Sequence, residues 1–190
     1  LPAMSRRQRQ MCIRDSQISA ANISNLVFRP AANANGASYD TFTFTVNDGT
    51  TDSASSYTMT VDVTAVNDAP TASNNTVTTN EDTDHTFAAS EFGFTDVDGD
   101  SLDHVSIETL PSNGTLLLSG SAVSAGDQIS AANISNLVFR PAANANGASY
   151  DTFTFTVNDG TTDSASSYTM TVDVTAVNDA PTASNNTVTT

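Results

Sequence analysis

The stretch TFTFTVNDG (Thr152–Gly160), followed by YTMTVDVTAVNDAP (Tyr168–Pro181), decides the fold of this chain. In the first stretch Phe153, Phe155 and Val157 alternate with threonines, which is the pattern of a strand buried on one face only. The second stretch alternates apolar and polar residues in the same way. Asn-Asp-Gly at the end of the first stretch favours a turn. The sequence therefore predicts two partnered strands whose apolar sides face one core.

Short segments of the same character precede this pair and are separated by turn residues such as PSNG at 111–114. Ser130–Asn133 is predicted to form a single helical turn. About seven short strands with turns between them are typical of an immunoglobulin-like β-sandwich, so the predicted fold class is all-β. The further strands are predicted at Asn75–Thr79, Thr86–Ala89, Leu102–Leu110, Thr115–Leu118 and Leu137–Arg140.

A long internal repeat organises the chain. Gln17–Thr79 recurs letter for letter as Gln128–Thr190, an offset of 128 − 17 = 111 residues. A period of this length suits a whole immunoglobulin-sized module and is too long for a solenoid unit. Val-Asn-Asp-Ala-Pro marks the joint at 66–70 and again at 177–181, because proline cannot continue a strand ladder. The repeat predicts tandem modules: a truncated C-terminal half at 17–66, a complete module at 67–177, and the first strand of a third at 178–190.

The truncated copy is expected to be poorly ordered or imperfectly packed, because its strands have no opposing sheet. Residues 1–16 do not belong to the repeat: they carry four of the six basic residues and Cys12. MCIRDS (11–16) matches one reading frame of a sequencing-library adapter. We interpret 1–16 as a non-native segment, with a basic targeting arm as the alternative.

The charge balance excludes several classes of partner. The chain has 6 Lys+Arg against 21 Asp+Glu, a formal net charge of −15, and Arg140 is the one basic residue of the complete module. Such a surface repels nucleic acid and anionic membranes but attracts small cations. A single cysteine allows no intrachain disulfide, and no apolar run is long enough for a membrane helix. No nucleophile, phosphate-binding or dinucleotide motif is present, so we expect no enzyme activity.

The densest acidic cluster is DVDGD at Asp96–Asp100. Alternate carboxylates on a tight loop bring oxygens into one small volume, where two charges about 4 Å apart repel by about 4 kcal/mol at an effective dielectric of 20. Ca²⁺ relieves such repulsion and tolerates irregular geometry better than Mg²⁺ does. A solvated acidic turn is the alternative. The EF-hand spacing is absent, since its sixth and twelfth positions hold Ser101 and Ile107.

Several of these motifs together resemble cadherin repeats. Tyr168–Pro181 resembles the last cadherin strand with its calcium linker, and Thr152–Gly160 resembles the strand before it, which ends in a calcium-binding Asp. VTTNEDT (77–83) resembles the first strand with its ligand Glu, and Asp96-Val97-Asp98 resembles the paired-Asp motif. Over 17–190 the sequence is similar to the bacterial cadherin-like modules that are repeated in very large secreted surface proteins.

The resemblance implies a calcium site at each junction of the complete module. Cadherins carry Asp-Arg-Glu ahead of the penultimate strand where this chain has NANG at 144–147, so fewer or weaker ions are expected. Asp48 would be the truncated copy of Asp159. The implied ligands are Asn67, Asp68, Asp96, Asp98 and Asp159 at the first junction, with Asp100 beside them, and Glu81, Asn178 and Asp179 at the second.

The function implied by the resemblance is that of a calcium-binding extender or adhesion module in a large bacterial protein, extracellular or at the cell surface. Its expected partners are the neighbouring modules of the same chain, with cell-surface or matrix ligands reached through other domains, and neither nucleic acid nor inserted membrane. An accessory carbohydrate-binding module of a secreted hydrolase is the alternative. It requires an exposed row of aromatic side chains, whereas the outward positions of the predicted strands are mostly Thr and Ser.

Overall fold

A computed structural model describes residues 17–189 of the chain. The segment 1–16, including Cys12 and the predicted non-native sequence, lies outside the described residues. The chain divides into two compact units, with the boundary between Thr64 and Ala65. None of the helices in the described part of the chain is long and apolar enough to cross a membrane.

The second unit is a sandwich of two sheets. One sheet has the order β3-β11-β10-β5-β8 and the other β4-β9-β6-β7. The strands of this unit are β3 (Asn75–Asn80), β4 (His85–Thr86), β5 (His104–Thr109), β6 (Thr115–Leu118), β7 (Ser121–Ala122), β8 (Gln128–Ser130), β9 (Leu137–Arg140), β10 (Gly147–Asn158) and β11 (Tyr168–Thr175).

Strand pairing in the larger sheet joins the first and last strands of the unit. β3 runs parallel to β11, with Asn75 opposite Met170 and Asn80 opposite Thr175. β10 pairs antiparallel with both β11 and β5. This arrangement confirms the predicted all-β, immunoglobulin-like sandwich, of which residues 17–189 contain a single complete example.

The core lies between the two sheets and is rich in phenylalanine. Phe153 and Phe155 on β10 are fully buried, as the alternation predicted. Edge-to-face contacts join Phe153 to Phe87, with ring centroids 5.6 Å apart, and Phe155 to Phe92, at 4.9 Å. Both partners come from residues 67–127, so the core is shared between the two halves of the module. Such aromatic pairs add to the stabilisation from buried apolar area.

Local differences from the sequence-based prediction have local causes. The strand predicted at Thr86–Ala89 ends at Thr86, and a 3-10 helix follows at Ala89–Phe92. The Glu91 carboxylate accepts a hydrogen bond from the Ala88 amide at 2.9 Å, which closes this turn. The predicted helical turn at Ser130–Asn133 is a 3-10 helix at Ala131–Asn136. The short strands β7 and β8 were not predicted.

The predicted opening strand of a third module is absent from the structure over the described residues 178–189. The same sequence forms β3 in the complete module, where β11 holds it through the parallel ladder. Residues 178–189 pair with no strand, and the assignment of this segment to a third module stays a prediction. Strand formation in this sequence depends on the neighbouring strand.

The first unit is a hairpin of β1 (Gly36–Phe44) and β2 (Tyr57–Val63), with a 3-10 helix at Ala20–Asn25. Its register, with Phe42 opposite Met59 and Phe44 opposite Tyr57, repeats the pairing of β10 with β11. Among the described residues of this unit, no second sheet covers the hairpin.

Candidate cation site at the linker

The acidic loop after the Ala89–Phe92 helix folds around one carboxylate. Asp96 Oδ1 accepts hydrogen bonds from the amides of Asp98 at 2.8 Å, Gly99 at 2.9 Å and Asp100 at 3.1 Å. Gly99 has φ +88°, a left-handed conformation that glycine adopts without strain. An aspartate at the first position of a turn commonly caps the following amides in this way. The loop geometry thus follows from the sequence Asp-x-Asp-Gly-Asp.

The same fold brings three carboxylates together. One oxygen each from Asp96, Asp98 and Asp100 lies within 4.8 Å of the others. Asp96 Oδ2 is inaccessible to solvent and has no hydrogen-bond partner among the described residues. A buried carboxylate oxygen without a partner is costly, and an oxygen-preferring divalent cation would satisfy it. The donor set therefore fits a hard cation.

The linker before the sandwich contacts this loop directly. The Asp68 amide donates to Asp98 Oδ2 at 2.7 Å. The Asn67 side chain donates to Asp159 Oδ2 at 3.0 Å and to Thr162 Oγ1 at 3.4 Å. The structure therefore gathers the linker, the acidic loop and the loop between β10 and β11 at one end of the module. Thr162 is the member of this group that the sequence analysis did not predict.

Asp159 is a charged acceptor within this arrangement. The Asn67 amide, followed by the backbone N–H groups of Thr162 and Thr161, holds the pKa of Asp159 below its ordinary value. The carboxylate is therefore ionised at neutral pH, as a cation ligand must be. In the first unit, the backbone N–H groups of Thr51 and Thr50 lower the pKa of Asp48, the copy of Asp159.

Residues assigned to the second junction lie beyond the opposite end of β3. Glu81 is buried, and its Oε1 accepts a hydrogen bond from the Val177 amide at 2.5 Å. Its Oε2 accepts a hydrogen bond from the Asn146 side chain at 2.8 Å. Asn178 and Asp179 follow Val177 and are exposed. In the described part of the chain, the Asn178 side chain bonds only to the Asp179 carbonyl, at 3.2 Å. Glu81 thus reaches this linker through Val177, while Asn178 and Asp179 join no carboxylate cluster within 17–189.

A family model described as a bacterial Ig domain matches residues 67–175. The chain belongs to this family. The match agrees with the sequence-based resemblance to bacterial sandwich modules, and domains of this family are typical of extracellular and surface proteins. Searches of curated proteins and of solved structures gave no match.

The bacterial Ig domain of this chain also contains a buried carboxylate that the sequence reasoning missed. Asp151 accepts hydrogen bonds from the amides of Ser112 at 2.9 Å, Asn113 at 2.7 Å and Gly114 at 2.8 Å, and from that of Thr152 at 2.9 Å. Asp151 therefore ties the turn at 112–114 to β10. The sequence did hold one indication that Asp151 is buried. Asp151 lies two residues before Phe153 in the strand alternation, and therefore on the core side of β10.

Proposed function

We propose that this chain is a calcium-binding extender module of a large bacterial extracellular or surface protein. One observation carries the proposal: the linker residues Asn67 and Asp68 are bonded to the same end of the sandwich at which three carboxylates converge. A cation held there touches both the loop and the groups that orient the linker. The role is mechanical, with no catalytic step.

The carboxylates of Asp96, Asp98 and Asp100 would hold the ion. Asp96 is set for this role, because three amides fix its Oδ1 while Oδ2 remains unpartnered. The Asp68 amide orients Asp98, and the Asn67 side chain orients Asp159 on the loop between β10 and β11. The ion supplies positive charge that offsets the mutual repulsion of the acidic groups.

The mechanical consequence follows from the direct bonding of the linker. Residues 67 and 68 lie in the linker between the truncated copy and the complete module, so any group that immobilises them restricts bending at the junction. In tandem modules, repeated restriction of this kind produces a stiff rod that carries a binding domain away from the cell. Buried Glu81, bonded to Val177, gives the next linker an anchor of the same kind. This supports an extender role in a surface adhesin.

A carbohydrate-binding role gains less support from the sandwich. Phe153 and Phe155 on β10 point into the core, and Thr152, Thr154 and Thr156 occupy the outer positions of the same strand. Stacking on sugars requires exposed aromatic rings in a row, and this outer strand surface consists of hydroxyl groups.

Calorimetric melting of the 17–190 chain tests calcium binding. With free calcium at ten times the dissociation constant, the sandwich is expected to gain about 1.4 kcal/mol, which raises its midpoint by roughly 5–6 °C over EDTA. Extracellular modules commonly bind calcium at about 10⁻⁴–10⁻³ M, which sets the concentrations to use.

Two variants serve as matched probes in the same experiment. Asp96→Asn/Asp98→Asn is expected to abolish the calcium-dependent shift, and Asp159→Asn to reduce it. Asp48→Asn changes the identical loop of the first unit and is expected to leave the shift intact. If the melting midpoint of the unsubstituted chain is the same in calcium and in EDTA, the proposal is contradicted.

A further inference from the structure

The first unit reproduces one half of the sandwich with the same sequence and the same local geometry. Residues 17–66 are identical to 128–177, and β1 pairs with β2 in the register of β10 with β11. The ring pair Phe44–Tyr57 has a centroid distance of 6.0 Å and an interplanar angle of 38°, the values found for Phe155–Tyr168. The first unit is therefore a preformed copy of the C-terminal half of the module.

The apolar side chains of this copy are exposed where their counterparts are covered. Ile23 is 59% exposed against 0% for Ile134, and Met59 is 47% exposed against 0% for Met170. A contiguous apolar surface of this kind on a folded unit is typical of an interaction site. The same pattern holds for Ile18, Leu26, Phe28 and Val46, whose copies Ile129, Leu137, Phe139 and Val157 are buried.

The surface that covers those counterparts is formed by residues 67–127. This N-terminal half contributes β3 beside β11, β5 beside β10, and Phe87 and Phe92 against the β10 phenylalanines. In each of these contacts, the partner residue in 128–177 has an identical copy in the first unit. The N-terminal half is therefore complementary to 17–66 to the same degree as to 128–177.

We propose that the apolar face of the first unit is a docking surface for residues 67–127 of a second copy of this chain. The two C-terminal halves are interchangeable partners for one N-terminal half. Docking adds the parallel β3 ladder to the free edge of β2 and covers Met59 with the core. The exchanged module places Asp48 in the position of Asp159, so the linker contacts are kept.

Exchange between two chains is favoured over exchange within one chain by the length of the linker. If β2 took the place of β11 within one chain, Val63 would lie beside Thr79, and Asn67 would have to reach the other end of the strand. Four residues span at most about 14 Å, whereas seven strand residues cover about 23 Å. Exchange within one chain therefore breaks the contacts of Asn67, and exchange between chains preserves them.

In the unsubstituted chain, covalent attachment favours 128–177 over 17–66 as the partner of 67–127. Residues 128–177 follow 67–127 directly, so their effective concentration is on the order of millimolar or higher. We therefore expect the unsubstituted chain to be monomeric at micromolar concentration. Docking between chains is expected where the attached half is disabled, in the manner of a domain swap.

The test uses three full-chain variants. Met170→Asp/Val172→Asp places charges in the core of the attached half, Met59→Asp/Val61→Asp makes the same change in the first copy, and the fourfold variant combines them. Each is examined by light scattering after size exclusion, over a range of concentrations, and by circular dichroism during heating.

The expected results differ for each variant. The first is expected to elute with at least twice the mass of the unsubstituted chain and to keep a cooperative melting transition. The second is expected to be monomeric with the unsubstituted midpoint, and the fourfold variant to lose the transition. If Met170→Asp/Val172→Asp behaves like the fourfold variant, the two halves are not interchangeable. A monomer that still melts cooperatively would also contradict docking to a second copy.

Discussion

The Phe155→Ala variant is expected to lose about 3–5 kcal/mol of unfolding free energy. Phe155 is fully buried, and its ring packs edge-to-face on Phe92 at 4.9 Å and against Tyr168 at 6.0 Å. Removing the Phe155 ring leaves a cavity between the two halves of the module. Because small domains are stable by only about 5–15 kcal/mol, this loss is a large share of the total. Urea unfolding followed by circular dichroism measures it.

Phe44→Ala is the matched control, since Phe44 is the copy of Phe155 in the first unit. Phe44 is only partly buried, and the hairpin around it has no opposing sheet within the described residues. The variant is therefore expected to leave the unfolding midpoint of the sandwich unchanged. Equal losses from the two variants would mean that the first unit is part of the same folded core, contrary to the division into two units.

Replacing Asp151 by Asn is expected to cost about 2–3 kcal/mol at pH 7. Burial acts to raise the pKa of Asp151, but the backbone N–H groups of Ser112, Gly114, Asn113 and Thr152 outweigh it and hold the pKa below 3.8. The charged form accepts these bonds through both oxygens, whereas an amide accepts through one. Chemical unfolding of the two proteins at several pH values measures the difference.

The pH dependence of this difference has a definite sign. A carboxyl whose pKa is lowered by folding contributes its full stabilisation above the unfolded value of 3.8, and loses it as the pH falls through the lower folded value. The gap between the unsubstituted chain and Asp151→Asn is therefore expected to shrink below about pH 4. The copy Asp40 is exposed and, among the described residues, accepts a hydrogen bond from the Thr41 amide alone, so Asp40→Asn is expected to be neutral. A gap that does not change with pH would contradict the role assigned to the Asp151 charge.

The strands that carry the core could be predicted because their alternation is local. Phe153, Phe155 and Val157 point to one side by the period of a strand alone, and the structure buries all three. The short strands β7 and β8 have no such run, since they consist of two and three residues and depend on their partners. The identical sequences at 75–78 and 186–189 make the same point, because a strand forms only where β11 lies beside it.

The candidate site could be predicted in part for a similar reason. The loop Asp96–Asp100 is a local pattern, and its convergence follows from the turn that Asp96 caps. The contact of Asn67 with Asp159 joins residues far apart in the sequence, and only the family resemblance placed them together. The role of Asp151 could not be inferred from its neighbours, since the amides that it binds belong to a turn on another segment.

Calcium titration followed by the backbone amide signals of the 17–190 chain tests the central claim most directly. Calcium is expected to shift the amides of Asp68, Asp98, Gly99 and Asp100, which donate to the carboxylates of the proposed site, with saturation at a defined stoichiometry. The amides at 47–52, the first-unit copy of the Asp159 loop at 158–163, serve as the internal reference and are expected to stay in place. If saturating millimolar calcium leaves 67–68 and 96–100 unmoved, or shifts the first-unit loop equally, calcium does not bridge the linker and the module.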